Sequence, residues 1–233
     1  MAAGLLAAAA LPAAASSFSL SPIRIYLSAA HRIGVVTLRN DGDEAVTVQV
    51  SSCAWTQPGG EDHYEASSDL IATPPVFSIA PHARQIVRVA LRDYEAMTRE
   101  GDYRLFFQEV PQPHSASFTG LRIYLRIGVP LFVVPRSAAG SSLAWRARAA
   151  GPHELEILAT NSGAEHIEVT GFDLEAGEHA PPVHVATARY VLPGSTVRWQ
   201  VTLPKGVPAN TALHIRGSTD RGEVFADANH AAS

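Results

Sequence analysis

The sequence predicts an all-β protein made of two sandwiches in tandem, and three observations lead there. Apolar residues alternate with polar ones over short runs, the period of a half-buried strand rather than of a helix. Turn residues punctuate those runs about every ten positions. No segment offers a long amphipathic helix, and 16 prolines are scattered through the 233 residues, where each removes a backbone donor.

The elements follow in order. Arg32–Arg39 ends in Asn40-Asp41-Gly42-Asp43, a strong turn signal. In Ala45–Trp55, Val46, Val48 and Val50 alternate with Thr47 and Gln49. A polar loop from Gln57 to Asp69 gives way to Leu70-Ile71-Ala72-Thr73-Pro74-Pro75. Strands are expected again at Gln85–Leu91, Tyr103–Val110 and Thr119–Val134, with one small helical turn around Asp93–Glu100. Pro135-Arg136-Ser137-Ala138-Ala139-Gly140 reads as a boundary. Beyond it lie Leu143–Arg148, Glu154–Thr160, His166–Leu174, Val183–Val191, Thr196–Leu203, Ala212–Gly217 and Gly222–Ala226. The turn Asn161-Ser162-Gly163 repeats the style of the first half. The expected domains are 16–135 and 136–233, each the size of one β-sandwich.

Residues 1–15 are expected to be a leader. Met1–Ala15 is nearly pure Ala and Leu, the length of a signal-peptide apolar region and too short for a bilayer. Ala13 and Ala15 occupy the −3 and −1 positions of a cleavage site before Ser16. Such leaders open on Lys or Arg, and a start lying upstream accounts for the missing charge. Export to an oxidising compartment is compatible with one unpaired thiol, Cys53, expected to be buried and inert.

Composition excludes several functions. The net charge of −4, from 18 Lys+Arg against 22 Asp+Glu, is not the basic footprint of a nucleic-acid binder. One cysteine forbids an internal disulfide and any CxxC metal or redox site. There is no nucleophile elbow, HExxH motif, phosphate loop or dinucleotide fingerprint. Glu61-Asp62-His63-Tyr64-Glu65 sits beside Pro58-Gly59-Gly60 and reads as a solvated turn; His179 and His184 read as surface residues. No enzyme, cofactor, metal site or nucleotide site is expected.

One segment stands out. Leu121, Ile123, Leu125, Ile127 and Val129 alternate with Arg122, Tyr124, Arg126, Gly128 and Pro130 at the end of the first domain. A last strand is a candidate sheet edge, and an edge with large apolar residues in register invites a partner strand. It also gives the free protein a route to self-association.

Several stretches, in order, resemble the periplasmic pilus chaperones of the chaperone–usher pathway, the PapD-like family. They are Ser21-Pro22-Ile23-Arg24-Ile25-Tyr26, Leu38-Arg39-Asn40, Ala54-Trp55, Ile71-Ala72-Thr73-Pro74-Pro75 and Val87-Arg88-Val89. Gln108-Glu109-Val110-Pro111, the 121–129 alternation, Leu131-Phe132-Val133-Val134-Pro135 and Ser218-Thr219-Asp220 complete the series. The resemblance covers the first domain nearly end to end, and the second by length, strand number and Asp220.

It implies two immunoglobulin-like domains set at an angle, with pilus subunits and an outer-membrane usher as partners and no ATP. Strand 119–129 would complete a subunit's unfinished sandwich, with Leu121, Ile123, Leu125 and Ile127 filling its groove. Arg24, expected on the first strand, matches the cleft arginine that anchors the subunit's terminal carboxylate. Arg88, Glu109 and Asp220 match a buried ionic trio between the domains, and Pro74-Pro75 resembles the family's cis-proline turn. The family's second anchor, a lysine, is replaced here by Pro130, and Arg104 is the expected substitute, with Arg126 the other basic candidate. That replacement resembles the archaic branch, whose subunits are spore-coat-U-like. A secreted two-sandwich adhesion or scaffold module is the alternative.

Overall fold

Strands make up nearly all the regular structure of the computed structural model, which describes residues 18–93, 98–111, 123–136, 140–177, 181–204 and 211–229. In chain order they are β1 (Phe18–Ser21), β2 (Ile25–Leu27), β3 (Ile33–Asn40), β4 (Val46–Thr56), β5 (His63–Ala66), β6 (Leu70–Thr73), β7 (Val76–Ile79), β8 (Arg84–Leu91), β9 (Gly101–Glu109) and β10 (Arg126–Val133). Then come β11 (Leu143–Gly151), β12 (Glu154–Asn161), β13 (Ile167–Ala176), β14 (Val183–Val191), β15 (Thr196–Thr202), β16 (Ala212–Thr219) and β17 (Gly222–Asn229).

The first sandwich packs the sheet β1-β3-β8-β6 against β2-β10-β9-β4-β5, with β7 also pairing β4. Alternation decides which face goes inward. On β3, Val36 and Leu38 are fully buried, while Val35, next to Val36 on the opposite face, is 45% exposed. Leu27, Val48, Val87, Leu105, Phe107 and Leu131 fill the same core. The second sandwich packs β11-β12-β15 against β14-β13-β16-β17, around Trp145, Ile157, Phe172, Leu213 and Ile215. This is the all-β, two-sandwich architecture read from the sequence.

The two sandwiches share one corner device. Asn40, fully buried at the end of β3, donates through Nδ2 to the carbonyls of Glu44 and Ile79 and accepts the Gly42 N–H on Oδ1. Asn161, fully buried at the end of β12, donates to the carbonyls of Glu165 and Val191 and accepts the Gly163 N–H. One side chain thus satisfies three backbone groups that the turn would leave unpaired.

Several expectations change. The polar loop 57–69 contains a 3-10 turn, Pro58–Gly60, and β5. It folds back on β4 because Asp62 accepts hydrogen bonds from Trp55 Nε1, Gln57 Nε2 and the Tyr64 hydroxyl, so Asp62 is a structural hub, while Glu61, His63 and Glu65 are exposed as a solvated turn would have them. Arg24 lies in the bend between β1 and β2, not on a strand. The Thr73–Pro74 peptide bond is cis, and so is Ser21–Pro22. Cys53 is half-buried on β4. The centre of the expected helical turn (94–97), the leader 1–15 and His179 lie outside the described residues; His184 is exposed and pairs with Asp173.

Candidate functional site

Two features of the first sandwich converge: an aromatic seam to the second sandwich, and a strand edge that opens beside it. The seam is built on the outer face of β4, β9 and β10. Trp55, Phe132 and Leu192 are buried together, with Tyr64 and Tyr190 packed on them. Phe132 stacks on His166 at 3.5 Å, and Trp55 meets Tyr190 edge-on at 5.3 Å. Gln57, buried, spends both ends of its amide across the seam: Nε2 donates to the Tyr190 carbonyl and Oε1 accepts the Leu192 N–H.

Arg24 crosses the same seam. Its guanidinium pairs with Glu168 and, at 3.0 Å, with Asp220, and donates to the Tyr26 hydroxyl. Asp220 also accepts the Glu168 N–H. Burial opposes the charge on Arg24, but Tyr26, Tyr190 and Glu168 outweigh it and hold the guanidinium above its ordinary pKa.

A second polar contact lies deeper. Glu100, just before β9, accepts from the His166 backbone N–H at 2.9 Å, and its Oε1 lies 2.6 Å from His166 Nδ1. Both side chains are 1% exposed. Asp102, whose carboxyl is pushed up to about 9 by burial and by neighbouring Glu100, joins them. These three offer donor atoms within 4.8 Å of one another, the one such set among the described residues. Nδ1 and a Glu100 oxygen are already engaged with each other, while Asp102 Oδ1 and His166 Nε2 are buried without a hydrogen-bond partner.

The edge belongs to β10. It pairs antiparallel with β9 along its length, but β2 pairs with it only at Leu131, Phe132 and Val133. Among the described residues, nothing pairs with the outer side of 126–130. The Glu109 N–H donates to the Leu125 carbonyl, and Val134 N–H to the Leu27 carbonyl. By alternation, the backbone groups of 125, 127 and 129 therefore face β9, and those of Arg126, Gly128 and Pro130 face the open side. Pro130 has no N–H to offer, so the row of free donors ends where β2 begins.

Arg104, opposite Pro130 on β9, lies across this edge. Its guanidinium stacks 4.2 Å from the Trp55 ring and 5.6 Å from Tyr64, and Nη1 approaches the Gly128 carbonyl at 3.4 Å. Its Nε is buried without a partner. Gly128 makes room: a Cβ there would come within 3.2 Å of Arg104 Cδ and 3.1 Å of Phe106. Gly128→Ala is therefore expected to lift Arg104 off Trp55, read as a change in tryptophan emission with no loss of folded protein. Unchanged emission would remove Gly128 from this role. Arg126 lies over Phe106 at 3.9 Å. Among the described residues no carboxylate pairs with Arg104 or Arg126, whereas Arg24 holds two.

The structure places the remaining expected residues as follows. Arg24 and Arg104 do reach one place: both act on the Tyr190 hydroxyl, whose pKa burial and Glu168 nonetheless push up to about 12. Ile123 is 52% exposed, while Leu125 and Ile127 lean onto the chain's own core. Leu121 lies outside the described residues. The trio Arg88, Glu109 and Asp220 does not form. Arg88 is exposed on β8 in the other sheet, and buried Glu109 accepts the Leu125 N–H on its carboxylate. Alternation explains this, since Arg88 points outward between buried Val87 and Val89. Asp220 instead pairs with Arg24, and the seam's ionic cluster is Arg24, Glu168 and Asp220.

Two β-sandwiches joined by a buried aromatic seam, with a half-open strand edge beside it, define the architecture that the comparisons place. The family model for the pili and flagellar-assembly chaperone, PapD N-terminal domain, matches residues 17–139, and the chain belongs to that family. No curated protein is matched by sequence. Among solved structures, the chain is similar to one in the CsuC–CsuE chaperone–tip adhesion subunit pre-assembly complex from the archaic chaperone–usher Csu pili of Acinetobacter baumannii. The TM-score is 0.69 at 20% identity, over 94% of this chain and 100% of that one. It is also similar to the E. coli chaperone DraB (TM-score 0.60, 18% identity, 95% and 99% covered). A third is in the Salmonella enterica SafA pilin–SafB chaperone complex (0.60, 16%, 94% and 98%).

Proposed function

We propose that this chaperone binds pilus subunits by donor-strand complementation with segment 119–129 and delivers them to an outer-membrane usher. It works in the periplasm, reached through a leader at 1–15, without ATP and without catalysis. The domains that do this are 16–135 and 136–233. The observation that carries the reading is the open side of β10 at Arg126–Pro130, lying against the seam in a member of the pilus-chaperone family. A subunit lacking a strand exposes a groove and unpaired backbone groups; an added strand satisfies both and buries apolar side chains at roughly 1.5–3 kcal/mol each. Leu121, Ile123, Leu125 and Ile127 supply those side chains. The better final fold available to a subunit that receives its next neighbour's strand drives release, so no nucleotide is needed.

Of the two proposed carboxylate anchors, Arg104 is the one free to act. Arg24 already carries Glu168 and Asp220, so its main service is to hold the second sandwich in place. The archaic branch remains our assignment for the partner, given Pro130 in place of the family lysine.

Ile123→Glu tests the reading, because the exposed side chain contributes little to the chaperone's own core. The variant is expected to fold as wild type and to lose a co-expressed pilus subunit in affinity co-purification. Full retention of the subunit would sink the donor-strand reading and leave a two-sandwich adhesion module in its place.

A further inference from the structure

Arg104 and Arg126 lie on one face of the sheet, the one bearing Phe106, Trp55 and Tyr64. A guanidinium held flat on a ring keeps its outward N–H fork available for an oxygen anion. Here two such groups border one strand edge in a protein of net charge −4, and no carboxylate among the described residues answers either of them. A terminal carboxylate answers one. Arg126 is exposed to solvent in the free protein, and a segment laid over it removes that water, which an acidic side chain on the segment can replace.

We infer that the segment bound along β10 carries an acidic side chain near its C-terminus, facing Arg126, in addition to the terminal carboxylate at Arg104. This rests on the binding reading above and adds to it the chemistry of the partner. Strand geometry makes the inference specific. Successive side chains of the bound strand point to opposite faces, so only every second residue can reach the Arg126 face. The others point into the groove filled by the apolar side chains, where an ionised carboxylate is costly. The ladder also has a defined end. β2 takes up the edge from Leu131 onward and Pro130 offers no donor, so the segment's last residue is held near Gly128 and cannot slide past it.

The test uses the full chain and a synthetic peptide of about ten residues, alternating valine and threonine, with solubilising lysines at its N-terminus and a free C-terminal carboxylate. A glutamate is moved one position at a time through the last six residues. Calorimetry is expected to show a period-two pattern, with glutamate about fivefold tighter than glutamine at alternate positions and weaker or neutral between them. Arg126→Gln should erase that pattern while leaving the acid-over-amide preference of the peptide terminus intact. Arg104→Gln should do the reverse. A peptide that binds with no alternation, or alternation that survives Arg126→Gln, overturns the inference alone. If no peptide of the series binds while a co-expressed subunit co-purifies with wild type, the inference falls alone; if the subunit also fails to co-purify, the binding reading falls with it.

Discussion

Asp102→Asn is expected to flatten the pH dependence of unfolding between about pH 4 and pH 9. Burial, and then the neighbouring Glu100, raise the Asp102 carboxyl from its ordinary 3.8 to about 9 in the folded protein. The folded state therefore holds a proton that the unfolded chain gives up at much lower pH. The stability this contributes is fully present below about pH 4 and is lost as pH rises through the window. The slope reaches at most about 1.4 kcal/mol per pH unit. Tyr103 and Tyr190, pushed up to about 12, titrate only above it. An amide resembles the protonated acid and can donate to Glu100, but it cannot ionise. Urea unfolding at intervals across the window should give wild type a falling stability and the variant a nearly level one. Parallel slopes would show that the proton is not held at Asp102.

Glu100→Ala should cost about 3–5 kcal/mol, because it strips two buried groups of His166, the backbone N–H and Nδ1, of their shared acceptor. The loss falls on the seam rather than on either core. Denaturant unfolding is therefore expected to separate into two transitions, one per sandwich, where wild type shows one. Glu100→Gln keeps a carbonyl acceptor and should recover part of the loss. A single unshifted transition in Glu100→Ala would mean that the seam is held elsewhere, by Gln57 and the aromatic stack.

The long strands were legible because their burial is local and periodic: Val46, Val48 and Val50 announce the inner face of β4 without reference to anything else. β5 and β7 escaped notice because four residues hold too few alternations to separate from loop. The dominant cause of β5, the Asp62 side chain gathering Trp55, Gln57 and Tyr64, is not a hydropathy signal. The seam was illegible for a different reason. Glu100 and His166, or Gln57 and Leu192, are polar or isolated positions whose meaning arises only when distant segments meet. Arg24 shows the limit of motif transfer. The matching residue is present in the cleft, yet in this chain its guanidinium is committed to the second sandwich. The ionic trio failed similarly, because an outward arginine on β8 cannot reach an inward glutamate on β9.

The paired asparagine corners give the two halves a common ruler. With Asn40 set on Asn161 and Ile79 on Val191, β3, β4, β8, β9 and β10 correspond to β12, β13, β15, β16 and β17, and their strand pairings agree. By that correspondence β17 is the sibling of β10, the last strand of its own sandwich and an edge of its sheet. The two strands differ in what they present. β17 presents Glu223 and Asp227 outward on either side of an exposed Phe225, so charge flanks the one large apolar side chain on that face. On β10 the corresponding ground is glycine, proline and unanswered arginine. The second sandwich thus ends on a strand with charges on its outer face, and the first on a strand whose outer side is open at 126–130 among the described residues.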